Sequence, residues 1–167
     1  LTEFTYDPAS NLIAKQTANL SAAGQQIDYA YDFGRLMGVT YPQFSGNDIS
    51  YTYGAPGAAD NRANRIVTVA SQAGLEERFY GPLGETVKTI MTVSSDTGAN
   101  PEVYATEYTF DTWNRLQTMT YPDGEVLVNA YDSGGKLDQI DGAKAGYAYP
   151  YLKEMGYDKF GQRVFVR

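Results

Sequence analysis

Aromatic residues recur along the chain at the ends of short segments in which apolar and polar positions alternate. Seven of them are followed directly by Asp or Gly, at spacings of 25, 22, 27, 30, 21 and 26 residues. These anchors are Tyr6, Tyr31, Tyr53, Tyr80, Phe110, Tyr131 and Tyr157. A unit of about 25 residues is too short to bury an apolar face alone, so repeats of this length stack on one another. The pattern predicts seven stacked units over residues 1–167.

The residues after each anchor favour a tight turn between two strands. Aspartate at the first turn position can accept a backbone N–H, and glycine at the last position adopts the positive φ that the turn requires. The turn aspartates are Asp7, Asp32, Asp111, Asp132 and Asp158, and the turn glycines are Gly34, Gly84, Gly135 and Gly161. A basic residue and then an aliphatic one begin the next strand, as at Arg35 and Arg115. Each anchor therefore predicts the end of a β-hairpin.

A second set of turns lies half a repeat away, at Tyr41-Pro42 and at Tyr121-Pro122-Asp123-Gly124. The repeat is weakest over residues 54–64 and 94–103, where we expect loop insertions. No segment has a convincing apolar period of 3.6 residues, so little helix is expected. The predicted fold class is all-β, built from antiparallel β-hairpin repeats.

The spacing of the apolar residues after each turn departs from strict alternation. Leu36 and Val39 are three residues apart, as are Leu116 and Met119, and simple alternation would send such a pair to opposite faces of the sheet. A β-bulge after the turn would return both side chains to one face. The alternative is a sheet with both faces partly covered. We favour the bulge.

Composition and charge exclude several classes of function. The chain contains no Cys and no His, which excludes a zinc site built on those ligands, a thiol nucleophile, a disulfide and an imidazole base. Its 13 basic and 20 acidic residues give a net charge of −7, which argues against binding a nucleic-acid backbone. No apolar run approaches the ~20 residues of a membrane-spanning helix. The first residue is Leu1 and no leader pattern follows it, so we expect a processed chain or a piece of a longer one.

Four segments carry a resemblance to a known family. The sequences YDFGRLMGVTYP (31–42), FDTWNRLQTMTYPDGE (110–125), YDSGGKL (131–137) and YDKFGQR (157–163) resemble the YD repeats of bacterial Rhs proteins. Similar repeats occur in the B and C components of insecticidal ABC toxins and in animal teneurins. The resemblance covers essentially the whole chain. It implies an internal Rhs/YD-repeat segment whose antiparallel sheet curves and spirals as part of a hollow β-shell.

The resemblance also implies a role and partners. In bacterial members the shell encloses an attached toxic polypeptide, and in teneurins it is an extracellular scaffold for adhesion. The expected role is therefore a non-catalytic wall segment, whose partners are the rest of its parent chain and an encapsulated toxin or effector. The expected location is secreted or at the cell surface. The segment that closes the shell, which carries self-cleaving aspartates in many members, has no counterpart after Tyr157, so we carry over no catalytic residue.

An extracellular adhesive or carbohydrate-binding module is the alternative function. The chain has 15 tyrosines, and aromatic faces stack on sugar rings. The anchor tyrosines are better explained by packing between repeats, because their placement is periodic. Trp113 lies at the centre of a turn and is not part of the repeat, which makes it the best single candidate for a ligand contact. The favoured alternative is ordinary half-burial of Trp113 on a neighbouring turn. Neither a cofactor nor a bound metal is expected.

Carboxylates are the only acid–base groups that an active site here would have, and their pattern does not favour catalysis. Glu76 and Glu77 are adjacent, so they point to opposite sides of a strand. Asp132, Asp138 and Asp141 could approach a calcium ion, but their spacing matches no calcium-binding loop. The basic residues after the turns, Arg35, Arg115 and Lys136, could pair with the turn aspartate of an adjacent hairpin.

A piece of a sheet wall has strands with one unpaired edge. Such edges recruit further strands, so we expect self-association through exposed strand edges.

Overall fold

A computed structural model describes residues 1–94 and 100–167, and this part of the chain is built almost entirely from β-strands. Fifteen strands lie in the described residues. They are β1 (Glu3–Tyr6), β2 (Leu12–Gln16), β3 (Ile27–Asp32), β4 (Arg35–Thr40), β5 (Ile49–Tyr53), β6 (Ile66–Ser71), β7 (Gly74–Tyr80), β8 (Thr86–Val93), β9 (Glu102–Phe110), β10 (Leu116–Thr120), β11 (Val126–Tyr131), β12 (Leu137–Lys144), β13 (Tyr147–Leu152), β14 (Met155–Tyr157) and β15 (Arg163–Val166).

Helix is confined to two short pieces of the described chain. The α-helix α1 covers Ala18–Ala22. Its N-cap is Thr17, whose hydroxyl accepts the backbone N–H of Leu20 at 3.5 Å. A single 3-10 turn covers Ser45–Asn47. Within the residues that the structure describes, no helix has the length and apolar composition needed to cross a membrane.

The strands follow one another in the sheet as they do in the sequence. Strands β1 to β13 form one sheet in sequence order, and β14 and β15 form a separate two-stranded sheet. Neighbours such as β3 and β4, or β11 and β12, are antiparallel. The predicted all-β fold of antiparallel hairpins is confirmed.

The chain divides into two compact units. The first comprises Leu1–Phe79 and Ile90–Val103, and the second comprises Tyr80–Thr89 and Tyr104–Arg167. The predicted insertion over 54–64 is a loop of the first unit, between β5 and β6. Of the predicted insertion over 94–103, residues 95–99 lie outside the described residues, and Glu102 and Val103 belong to β9.

One turn geometry recurs in both units. In each of these turns the N–H of the fourth residue donates to the carbonyl of the first, as Gly135 does to Asp132 at 2.9 Å. The N–H of the first residue donates to the carbonyl of the fifth, as Asp132 does to Lys136 at 2.8 Å. The fourth residue has positive φ in every case, as predicted for glycine at this position. These turns end at Ser10, Gly84, Asn114, Gly124, Gly135 and Gly161.

Two anchors have turns of different length. After Tyr31 the strands are joined by Phe33 and Gly34 alone, both with positive φ, which is the two-residue hairpin connection. After Tyr53 the loop is longer, yet it closes with the same two hydrogen bonds. Gly54 donates to the carbonyl of Arg65 at 3.0 Å, and Asn64, with φ of 59°, donates to the carbonyl of Gly54 at 2.8 Å. The insertion therefore enlarges the turn without changing how the strands enter it.

An extra residue follows the turn in six hairpins, which confirms the predicted bulge. Tyr31 pairs with Leu36, but Ala30 pairs with Gly38, so Met37 has no partner across the strand. The unpaired residues are Ile13, Met37, Val67, Gln117, Asp138 and Val164. The bulge places Leu36 and Val39 opposite Tyr31 and Tyr29, on one face of the sheet.

The two faces of the sheet differ in character. On β3, Tyr29 and Tyr31 are half-buried, whereas the alternate residues Asp28 and Ala30 are exposed. On β11, Leu127, Asn129 and Tyr131 are half-buried, and Val128 and Ala130 are exposed. We call the face that carries the anchor tyrosines the aromatic face.

Few side chains are fully removed from solvent. Only Ala14, Val39 and Leu152 form the buried core of the described residues. A sheet normally buries its apolar face against a second layer. On β3 and β11 the residues of the aromatic face are only half-buried.

Gly135→Val tests the recurring turn. Gly135 has φ of +80°, and a Cβ there would lie 3.2 Å from Nη1 of Arg115. Because a β-branched residue is strained at positive φ, we expect the free energy of unfolding to fall by about 1 kcal/mol or more. The measurement is urea denaturation followed by circular dichroism. Lys153→Gln, an exposed change, should stay within about 0.5 kcal/mol of the parent, and equal stability of the two variants would contradict the prediction.

Candidate functional site

The turn aspartates bind the backbone of their own turns. Oδ1 of Asp111 accepts the N–H groups of Trp113 (2.9 Å) and Arg115 (3.0 Å). Oδ1 of Asp158 accepts those of Phe160 and Gln162, both at 2.9 Å. These bonds hold each turn in a single conformation, as the sequence predicted for aspartate at the first turn position.

The basic residue after the turn pairs within its own hairpin, which corrects the expected pairing between adjacent hairpins. Arg115 lies 2.6 Å from Oδ2 of Asp111, and Arg35 lies 2.8 Å from Oδ2 of Asp32. The reason is that a turn of four or five residues brings its first and last side chains together, closer than the strand spacing between hairpins.

The basic residue also contacts the anchor tyrosine of the next hairpin. The Arg115 guanidinium lies 4.2 Å from the centre of the Tyr131 ring. Arg35 lies 5.2 Å from the Tyr53 ring, and the Lys136 ammonium lies 5.1 Å from the Tyr157 ring. These distances are within the range of cation–π attraction.

The anchor hydroxyls complete the connection between hairpins. Tyr131 donates to the carbonyl oxygen of Leu116 at 2.7 Å. Tyr53 donates to that of Leu36 at 3.0 Å, and Tyr157 to that of Leu137 at 2.9 Å. Each acceptor is the aliphatic residue that follows the basic residue at the start of the strand after the preceding turn. We call this arrangement of turn Asp, basic residue and next anchor tyrosine the inter-hairpin contact.

The other anchors, Tyr6, Tyr31, Tyr80 and Phe110, also lie at or next to the end of a strand. Tyr6 is 58% exposed at the end of β1, and Asp7 binds Asn11 through both carboxylate oxygens. Tyr80 ends β7 before the turn that closes at Gly84, and Phe110 ends β9 and has no hydroxyl to donate.

Trp113 is one of several exposed apolar residues at turn centres, which corrects its expected uniqueness. It is 70% exposed, and the Arg115 guanidinium lies 4.5 Å from its ring. Leu83 and Phe160 occupy the same third position of their turns and are 73% and 77% exposed. A recurrent position explains Trp113 as well as a ligand would, so Trp113 alone does not mark a binding site.

The other carboxylates singled out in the sequence do not converge. Glu76 accepts Nε of Arg78 at 2.6 Å, while Glu77 lies 3.7 Å from Arg62, so the two adjacent acids contact different partners. Asp132, Asp138 and Asp141 belong to no group of three or more candidate metal ligands in the described part of the chain.

A groove in the second unit is the site that the sequence did not reveal. It encloses about 610 Å³. Its lining residues are Tyr104, Tyr121, Pro122, Asp123, Glu125, Leu127, Ile140 and Tyr151. They come from the turn between β10 and β11 and from strands β9, β11, β12 and β13, so aromatic rings and two carboxylates surround an aliphatic floor.

Hydrogen bonds fix the polar side of this groove. Oε1 of Glu125 accepts the hydroxyls of Tyr149 (2.6 Å) and Tyr151 (2.5 Å), and Lys144 pairs with Oδ2 of Asp123. The Tyr149 and Tyr151 hydroxyls lower the pKa of Glu125, and the bond from Lys144 lowers the pKa of Asp123. The bond to Glu125 raises the pKa of Tyr149 and of Tyr151. Both carboxyls are therefore ionised at neutral pH.

Gly142 makes room for the two tyrosine rings. A Cβ at this position would lie 2.7 Å from Tyr151 and 2.8 Å from Tyr149. The rings meet edge to face with centroids 5.3 Å apart. The alternating tyrosines of β13 were the available signal in the sequence, but their partner Glu125 lies on another hairpin.

Comparison with known proteins identifies the fold. No protein-family model and no curated protein matches the chain. Three solved structures of TcdB2-TccC3 are similar to it: the complex with Cdc42 (19% identity, TM-score 0.80), the form without the hypervariable C-terminal region (19%, 0.79) and the TEV form (20%, 0.78). The matches cover 98–99% of this chain.

The chain has an Rhs/YD-like fold. The resemblance stated from the sequence is thereby confirmed at the level of the fold, since the neighbours are ABC toxin complexes that contain such a shell. The chain spans only 9% of the length of each neighbour. The YD-like segment therefore corresponds to a small part of a much longer architecture.

Tyr131→Phe tests the inter-hairpin contact. Removing the hydroxyl deletes the 2.7 Å bond to Leu116 while keeping the ring against Arg115. We expect the free energy of unfolding to fall by about 1 kcal/mol, measured by urea denaturation. Tyr6→Phe is the matched control, because Tyr6 has the same repeat position and no hydrogen bond from its hydroxyl within the described residues. Equal losses in both variants would contradict a specific contact.

Acid should weaken the fold through the hydrogen-bonded carboxyls. The pKa of Asp111 is lowered, first by the backbone bond from Arg115, and the pKa of Asp7 is lowered by its bonds from Asn11. A group with a depressed pKa in the folded state stabilises it at higher pH, and this contribution disappears as pH falls through that pKa. We expect the unfolding temperature to be flat above pH ~5 and to fall below pH ~4.

The comparison variant is Asp111→Asn, which cannot titrate at this turn. Its unfolding temperature should approach that of the parent as the pH falls, because the parent then loses the same interaction. The difference in unfolding temperature between parent and variant also cancels the general effect of neutralising the other acidic residues, because both proteins share that effect. A constant difference between pH 6 and pH 2 would contradict the role given to the Asp111 carboxylate.

Proposed function

We propose that this chain is a non-catalytic wall segment of a larger β-shell, which encloses or presents a toxin or effector polypeptide. The observation that carries the proposal is the 13-stranded sheet whose aromatic face is only half-buried on β3 and β11. Such a face is suited to lining a compartment completed by further chain. The proposed location, secreted or at the cell surface, follows from the same analogy with YD-repeat proteins.

The inter-hairpin contact supports a wall that extends by addition of like units. Tyr53, Tyr131 and Tyr157 each bind the carbonyl that follows the preceding turn. The Tyr131 hairpin donates its tyrosine to Leu116 and supplies the Leu137 carbonyl to Tyr157, so one geometry can join successive hairpins. This is the nearest-neighbour construction typical of repeat proteins.

The similarity to TcdB2-TccC3 supports the same role. In each neighbour a segment of 9% of the chain has this fold, which agrees with a piece of a large assembly. The assignment of a non-catalytic role rests on the carboxylates, because those at the turns are engaged with backbone N–H groups or with basic side chains.

Cryo-electron microscopy of the complete translation product of the gene tests the proposal. We expect residues 1–167 in the wall of a closed shell, with the aromatic face toward the interior and polypeptide density inside. Protease treatment should leave the enclosed polypeptide intact until the shell is denatured. A flat or open arrangement of this sheet, or an interior without polypeptide, would overturn the proposal.

The isolated 167-residue chain should self-associate through its end strands. Among the described strands, β1 has a neighbour on one side only, and all four of its residues are exposed. We expect light scattering to show an average mass that grows with concentration. Thr5→Lys should reduce the association, because a charged side chain on an edge strand opposes pairing.

Ser133→Lys is the matched control, since it adds the same charge at a turn, away from the edge. It should leave the association unchanged. A monomer at every concentration, or equal inhibition by both substitutions, would argue against pairing through β1.

A further inference from the structure

The groove of the second unit combines aromatic walls with an aliphatic floor. Tyr121 and Tyr151 line it and are 38% and 58% exposed, so their rings are accessible. Leu127 and Ile140 form part of the apolar lining. In the described part of the chain no cation lies over the ring of Tyr121 or of Tyr151.

The charge in the groove is only partly compensated. Asp123 has an ion-pair partner in Lys144. Glu125 has no such partner within residues 1–94 and 100–167. Its Oε1 accepts two tyrosine hydroxyls, and its Oε2 has no hydrogen bond there. An oriented carboxylate with a free oxygen thus lies beside two available aromatic rings.

We propose that this groove binds the side chain of a lysine or arginine carried by an extended polypeptide. The cationic head would lie over the tyrosine faces and against Oε2 of Glu125, and its methylene stem would contact Leu127 and Ile140. Tyrosine rings attract cations, and basic side chains place their stems on apolar surface. The inference does not depend on the proposed shell, because it uses only the side chains of this groove.

A polypeptide is favoured over a small free cation by the form of the groove. Tight small-molecule sites surround most of the ligand surface, whereas Tyr121 and Tyr151 of this groove are exposed to solvent. A side chain delivered by a longer chain gains further contacts along the strands. The acidic net charge of −7 also favours a basic partner and disfavours an anionic one.

The test uses nine-residue peptides in which serine alternates with lysine, arginine, norleucine or glutamate. Binding to the 167-residue chain is followed by backbone NMR shifts and by fluorescence anisotropy at low and physiological salt. We expect the lysine and arginine peptides to bind at least ~10-fold more tightly than the norleucine peptide, which keeps the stem and lacks the charge. The shifts should concentrate at Tyr121, Glu125 and Tyr151.

Three substitutions separate this groove from general attraction to an acidic surface. Tyr151→Leu and Glu125→Gln should each weaken binding about 3- to 10-fold. Tyr147→Leu is the matched control, because Tyr147 lies on the same strand, is 77% exposed and does not line the groove, so its effect should stay within about twofold. Lys144→Met should strengthen binding about 2- to 5-fold, since Asp123 would lose its resident cation.

Several results would overturn the inference. Equal binding of lysine and norleucine peptides would remove the role of charge. Equal losses for Tyr151→Leu and Tyr147→Leu, or shifts spread over the whole surface, would show non-specific attraction. Displacement of the peptide by a neutral oligosaccharide, with direct sugar binding retained in Glu125→Gln, would assign the groove to a carbohydrate instead.

Discussion

The hydrogen bond from an anchor tyrosine to the carbonyl after the preceding turn is the interaction on which the rest of the structure depends. Few side chains of the described residues are buried, so side-chain contacts between hairpins supplement the backbone pairing of their strands. The tyrosine bridges from one hairpin to the next, and the basic residue that lies against its ring is held in turn by the turn aspartate. Turn, strand and neighbouring hairpin are thereby coupled through three side chains.

The β-bulge makes this arrangement compatible with the turn. Without Gln117 as an unpaired residue, Leu116 and Met119 would point to opposite faces of the sheet. With it, the strand keeps its apolar residues on the aromatic face, and the carbonyl of Leu116 is available to Tyr131. The length of the turn can vary because the strands enter it in the same way. The insertion after Tyr53 closes with the same hydrogen bonds as the short turns.

The groove near Glu125 illustrates how a repeat scaffold acquires a local feature. The turn supplies Asp123 and Glu125, and β13 supplies the tyrosines that bind Glu125. Gly142 on the intervening strand removes a side chain that would otherwise occupy the place of the rings. None of these residues belongs to the inter-hairpin contact, so substitutions in the groove leave the side chains of that contact in place.

The YD-repeat fold was implied by the resemblance of four segments to a known family. The sequence alone determined the features that depend on local spacing: the strand–turn period, the aspartate and glycine turns and the bulge. These follow from side chains a few residues apart, whose geometry the turn type constrains. Only the tertiary structure decided which cation each aspartate holds, which carbonyl each tyrosine binds and where a groove forms. Tyr151 and Glu125 are separated by 26 residues and meet across β12. Their contact depends on strand register, which no local pattern around either residue specifies.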